Sequence, residues 1–326
     1  MLIGHKKQWQ FLAKTAEAGH LPHALLFYGQ EHLGKKTFAI EFAQYLNCFD
    51  KRNDTSCGKC RNCLDIQRNL FPDFLIVEPE PQSKEIQISQ IRGLIEKLSF
   101  RPYSAKTKIA ILASAHLMSQ EAQNCFLKFL EEPSGEALIV LITEHPYSLL
   151  PTILSRIQKI KFFPVRNEEV KNFLKEKGAR EKILEEILPL VSGKPGLAID
   201  FFIDPEKLKE REKFISDLGD LASGDLAFRF KYAENISGES FDFAKRKEVL
   251  GIWIEYLRNL LLSRVEKKDE NSILFNPPPQ KGGGGVGDYS INKIKEAIKF
   301  IEEIDSLISN TNINIRLAFE ILLMKL

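Results

Sequence analysis

Unbroken apolar runs alternate with stretches of helical spacing through the first half of the chain. The runs are 24–28 (ALLFY), 74–78 (FLIVE), 108–113 (KIAILA) and 137–143 (ALIVLIT), with a shorter one at 157–163 (IQKIKFF) closed by Pro164. Helical patterns fill the intervals at 36–47, 88–99 and 119–131, and the first twenty residues form an amphipathic helical pattern. Strands alternating with helices predict a parallel sheet covered on both faces, an α/β domain over residues 1–165.

The pattern then turns helical. Val170, Phe173 and Leu174 recur at helix spacing, followed by Ile183, Leu184, Ile187 and Leu188, until Ser192-Gly193-Lys194-Pro195-Gly196 interrupts the run. This predicts a small helical lid over 166–204. Beyond Asp204-Pro205 the periodicity is helical throughout, with helices expected at 206–222, 241–264, 290–308 and 313–325, an all-α domain over 205–326. The turn-rich stretch NPPPQKGGGGVGD (276–288) and the charge run EKKDE (266–270) interrupt it.

Composition narrows the function classes. With 326 residues the chain is long enough for two or three domains, and 44% apolar and 28% charged residues are ordinary for a soluble globular protein. A net charge of +2 means that any nucleic-acid contact needs a local basic patch. No apolar run approaches the ~20 residues of a membrane helix, and the N-terminus lacks a secretory pattern, so the cytoplasm is the expected location and no membrane partner is expected.

Residues 23–37 (HALLFYGQEHLGKKT) carry the first chemistry. Gly29, four residues, then Gly34 and Lys35 at the start of a helix reproduce a phosphate-binding loop, in which backbone N–H groups and a lysine cradle phosphates. The next position should hold Mg²⁺ through a Ser or Thr hydroxyl, but it is Lys36. Thr37 does not replace it, because one residue turns ~100° around the helix axis. The run Ile109–Leu112 should end in acidic residues that hold the metal and orient water; it ends in Ala113 and Ser114. The chain thus has the shape of an NTPase without the groups for hydrolysis. Weak residual phosphate binding through Gly29, Gly34, Lys35, Lys36 and Thr37, and a loop kept only for packing, both remain open.

Four of the five cysteines cluster as Cys48, Cys57, Cys60 and Cys63. Two CxxC steps suit tetrahedral Zn²⁺, and four protein ligands leave no open position, so a structural zinc is expected. Lys51, Arg52, Lys59 and Arg61 read as a solvated loop, with nucleic-acid contact by this knuckle as the lesser alternative. Cys125 lies on a helical stripe with Ala122 and Phe129 and reads as a packed core cysteine.

Together with LKFLEEP (127–133) and LLPTILSR (149–156), this order of motifs resembles the bacterial sliding-clamp-loader subunits of the AAA+ class, most closely the delta-prime family of DNA polymerase III. The resemblance implies a nucleotide-binding-like domain with an inserted zinc module (48–63), a lid, and a C-terminal collar for oligomerisation. Arg156 in the Ser155-Arg156 motif is implied to reach a neighbour's nucleotide in trans. Implied partners are gamma/tau-type ATPase subunits and a delta subunit in a hetero-pentameric ring, with the sliding clamp and primed DNA met through the complex.

The departures argue for a non-catalytic member. The relatives' Asp-Glu is Ala113-Ser114, a glycine of their loop is His32, and their lid arginine matches Gly196. ATP binding is expected to be absent or weak. A working gamma/tau-type ATPase and a free-standing zinc-dependent nucleic-acid binder are the alternatives. Thr143 and His145 read as a structural cap. The stripe Ile294, Ile298, Ile301, Ile304 and Ile308 looks too long for one bundle face, so part of it is expected to meet neighbouring subunits, with core packing as the competing view.

Overall fold

The computed structural model describes residues 2–51, 55–80, 85–132, 137–265, 289–311 and 313–326; the segments 266–270 and 276–288 singled out above, with Arg52 and Pro133, lie outside the described residues. It divides into two compact units, 1–170 with 193–196, and 171–192 with 197–326.

The first unit runs α1 (Lys6–Glu17), β1 (Ala24–Tyr28), α2 (Lys35–Asn47), α3 (Arg61–Gln67), β2 (Phe74–Val77), α4 (Ile88–Ser99), β3 (Lys108–Leu112), α5 (Gln120–Glu131), β4 (Ala137–Thr143), α6 (Pro151–Leu154) and β5 (Gln158–Lys161). The five strands form one sheet in the order β2-β3-β4-β1-β5, every pair parallel. Side chains alternate between two apolar layers, as the two-residue period of a strand requires. Leu25, Phe27, Ile109, Ile111, Leu138 and Val140 enter one layer, around Phe38 and Phe42 of α2. Ala24, Leu26, Ala110, Leu112, Ile139 and Leu141 enter the other, around Ile91 of α4 and Phe126 of α5. On that second face Ile139 pairs with Ala24 on one side and Ala110 on the other, a large residue between two small ones.

Below the sheet, a buried carboxylate fixes the loop that feeds β3. Asp73 accepts N–H donors from Tyr103, Ser104 and Ala105 at 3.0, 2.8 and 2.9 Å and lies 4.0 Å from buried Lys108. Burial opposes its ionisation, but those amides and the lysine outweigh it and hold its carboxyl below the usual range. A depressed carboxylate stabilises above its unfolded value, so the contribution is complete above about pH 4 and is lost as pH falls through the lower folded value. Asp73→Ala leaves the amides and Lys108 without that charge and is expected to cost about 3–5 kcal/mol, read as a lowered urea midpoint at pH 7 and a smaller difference from wild type at pH 3.

The second unit takes in most of α7 (Asn167–Glu176) and α9 (Pro195–Ile203), and all of α8 (Glu181–Val191), α10 (Pro205–Ser223), α11 (Leu226–Ser237), α12 (Phe243–Val265), α13 (Ile291–Asn310) and α14 (Ile315–Lys325). Its core gathers around Trp253, whose indole N–H donates to the Phe214 carbonyl at 2.8 Å. The expectation that part of the isoleucine stripe meets another subunit is corrected here. Ile294, Ile298, Ile301, Ile304 and Ile308 are all buried in this unit's own core, because α12 and α14 both pack on α13 and cover a wide face. Among the described residues, α14 carries an exposed apolar stripe of Leu317, Ile321 and Met324 at one-turn spacing.

Candidate functional site

The phosphate loop leaves β1 at Tyr28 and ends where Gly34 caps α2. Gly29 is required: its φ is +146°, and a Cβ there would stand 2.5 Å from the Phe162 carbonyl oxygen. Lys35 is buried, and its ammonium donates to the Gly29 carbonyl at 2.7 Å and to the Gln30 carbonyl. The cation that would meet a phosphate is thus turned onto the loop's own main chain. Burial, helped by Lys194, draws its pKa down, against Glu144 and Glu31.

Those two carboxyls were not singled out in the sequence. Burial and a hydrogen bond with Glu31 push Glu144 up to about 8, so the pair holds one proton at neutral pH beside Lys35 and Lys194. A single negative charge of the pair thus stands beside the two lysine ammoniums. Lys194 had been noticed only as part of the break in the helical pattern.

The metal-binding half of the site differs further. Lys36 reaches sideways to Glu78 at the end of β2, 2.5 Å away, and Thr37 is exposed. Ala113 offers only its N–H, to Val77 O, while Ser114 sits in a left-handed turn at φ 55°. Thr143 caps the end of β4: its hydroxyl accepts the His145 N–H at 3.0 Å and bonds His116 Nδ1 at 3.2 Å. His32 is also left-handed, at φ 57°, and its carbonyl accepts the Gly196 N–H at 2.8 Å. A Cβ on residue 196 would stand 2.9 Å from that oxygen, which excludes any side chain there without a backbone shift.

The four clustered cysteines converge. Cys48 follows α2, Cys63 lies in α3, and all four Sγ atoms lie within 4.8 Å of one another. Four thiolates about a zinc ion at ~2.3 Å stand ~3.8 Å apart, so the set fits such an ion with small adjustment. Backbone amides already point at the sulfurs: Cys57 N–H at Cys48 Sγ (3.3 Å) and Cys60 N–H at Cys57 Sγ (3.2 Å). Amides of Lys59 and Cys60 draw the Cys57 thiol down to about 6, while burial pushes Cys48 and Cys63 up. Gln44 donates to Cys63 O and Asn62 to Asn47 O, which fastens α3 to α2. The cluster could hold a metal ion. Cys125 is half-buried and packs against the sheet's second layer.

Arg156 follows α6 on the surface. Its guanidinium donates from Nη1 to the Thr152 carbonyl (3.1 Å) and Ser155 Oγ (3.3 Å), and its Nη2 forms an ion pair with the Glu131 carboxylate of α5 (3.1 Å). Sequence reasoning had passed over Glu131, although it lies within the LKFLEEP motif.

Among the described residues no helix is long and apolar enough to cross a membrane. A family model described as "DNA polymerase III, delta subunit" matches residues 4–166. DNA polymerase III subunit delta' of Bacillus subtilis is 36% identical over 167 residues, 51% of this chain and 50% of that protein. The delta' subunit of Pseudomonas aeruginosa is 34% identical over 191 residues, 57% of each. The match thus spans about half the length of these curated relatives. The Escherichia coli tau subunit is 29% identical over 185 residues, 57% of this chain and 28% of that one. Among solved structures, a DNA polymerase III gamma subunit-related protein of Thermotoga maritima is 19% identical over 97% of both chains, with a TM-score of 0.48. On the match over residues 4–166 and the likeness to the delta' subunits, this chain belongs to the delta-prime-type clamp-loader subunits of DNA polymerase III.

Proposed function

We propose that this chain is a non-catalytic member of its loader, an AAA+ subunit that supports ATP-driven loading of the sliding clamp onto primed DNA without hydrolysing ATP itself. The observation that carries this reading is the state of Lys35, whose ammonium is engaged by the Gly29 and Gln30 carbonyls. Its neighbours agree with it: Lys36 stands at the Mg²⁺-ligand position and pairs with Glu78, and Ala113 and Ser114 stand where acidic residues would orient water. Losing a general base or water-orienting group lowers rates ~10²–10⁴-fold, and the metal ligands are missing as well.

In this reading Arg156 acts in trans on the nucleotide of a neighbouring gamma/tau-type subunit, within a hetero-pentameric ring that also holds a delta subunit. The cysteine cluster holds a structural Zn²⁺. Residues 1–165, 166–204 and 205–326 serve as nucleotide-binding-like domain, lid and collar. The exposed stripe Leu317, Ile321 and Met324 supports a collar role, since an unpartnered apolar face favours association.

Turnover by the purified chain is the direct test. With Mg²⁺ and ATP it should hydrolyse no faster than a Lys35→Ala variant; brisk Mg²⁺-dependent turnover abolished by that substitution would identify a gamma/tau-type ATPase instead.

A further inference from the structure

We propose that Glu131 is the latch of Arg156, holding the guanidinium folded onto its own subunit until a neighbour's nucleotide displaces it. The inference rests on the trans role of Arg156 stated above and names the device that regulates it. In this structure the guanidinium turns inward. One nitrogen is taken by the Thr152 carbonyl and the Ser155 hydroxyl, the other by the Glu131 carboxylate at 3.1 Å. An arginine so engaged must give up the carboxylate to place its fork on a phosphate.

The backbone around the pair is fixed, so the latch closes on one geometry. Buried Gln123 of α5 donates to the Ser148 carbonyl at 3.3 Å and accepts the Leu150 N–H at 2.9 Å, which binds α5 to the start of α6. Ser119 caps α5 by accepting the Ala122 N–H at 3.2 Å. Glu131 ends α5 and Arg156 follows α6, and their side chains are the parts free to separate.

The strength of the contact suits a latch. The arginine side chain is 39% exposed and the glutamate 53%, so water screens their attraction. Exposed pairs of this kind contribute little, whereas a triphosphate presents several charges to the same fork. The pair therefore restrains the arginine in the unoccupied state and yields when a nucleotide arrives.

Removing the latch should make engagement easier. In the reconstituted loader, Glu131→Gln should raise kcat/KM for ATP at the adjoining interface about two- to five-fold, the range that an exposed ion pair supplies. Glu131→Asp, which keeps the charge, should return part of that gain to the wild-type value. In an Arg156→Ala background Glu131→Gln should change nothing, because the two act as one pair. A purely structural glutamate would not raise kcat/KM, and its removal would act with or without the arginine.

An unchanged or lowered kcat/KM for Glu131→Gln, with Arg156→Ala still lowering turnover, overturns the latch and leaves the trans arginine standing. A rise that persists in the Arg156→Ala background also overturns it. No effect of Arg156→Ala itself would overturn the trans role, and the latch with it.

Discussion

Replacing Arg156 by alanine should lower ATP turnover at one interface of the assembled loader by about 10³-fold or more, the scale on which a trans arginine acts in phosphoryl transfer. On the proposed trans role the effect is large because the guanidinium would meet charge that grows on the phosphoryl oxygens as the bond breaks, where water is scarce and screening weak. The complex should still assemble, since Arg156 is bonded only at the surface, to Thr152, Ser155 and Glu131. Arg156→Lys should recover little, because an ammonium cannot present the planar fork. Gel filtration of the complex and clamp- and DNA-stimulated turnover, measured together, separate assembly from chemistry. Wild-type turnover by the alanine variant would remove Arg156 from the mechanism.

The second large effect concerns the cysteine cluster. Purified under reducing conditions, the chain should carry one zinc per molecule, and Cys60→Ser together with Cys63→Ser should abolish its binding. The seven-residue α3 is far below the length at which an isolated helix holds in water, so its order depends on what fastens it. Apparent zinc affinities in such small sites are worth ~10–16 kcal/mol. Stripping the metal should therefore expose the amides of residues 57–67 to hydrogen exchange at rates close to those of the unfolded chain. The amides of β1, β3 and β4, buried in both layers, should stay protected. Because the ligands bind as thiolates, acidification should release the metal and alkaline pH retain it. Exchange in 57–67 that ignores chelation would show that the segment stands without a metal.

The sheet could be read from the chain because a strand covered on both faces leaves a contiguous apolar run, and all five runs became strands within a few residues of their expected ends. The cysteine cluster was legible for a related reason: short CxxC spacings leave the sulfurs little room to diverge. Where one side chain's direction depends on another element, the sequence was silent. Nothing in LLPTILSR indicates that Arg156 turns back to Glu131 on a different helix. Nothing in GQEHLGKK indicates that Lys35 bonds its own loop, or that Glu144, past the end of β4, shares a proton with Glu31. The isoleucine stripe of α13 reads as too long for one bundle face, and the competing view, core packing, is what the structure has. Two helices cover it.

The arrangement Ala24–Ile139–Ala110 across three strands has a consequence for how errors in this protein would be noticed. Both sides of β4 are greasy, so a strand slipped by one position would hide its grease as well as the correct one does. Machinery that recognises misfolding by stickiness has little to grip in such a mistake. Bulk is what betrays it: a leucine or valine arrives where the alanines left room for a single isoleucine. Fidelity in the middle of this sheet is thus a matter of size, and conservative swaps between small and large aliphatics there are the changes that should do unexpected harm.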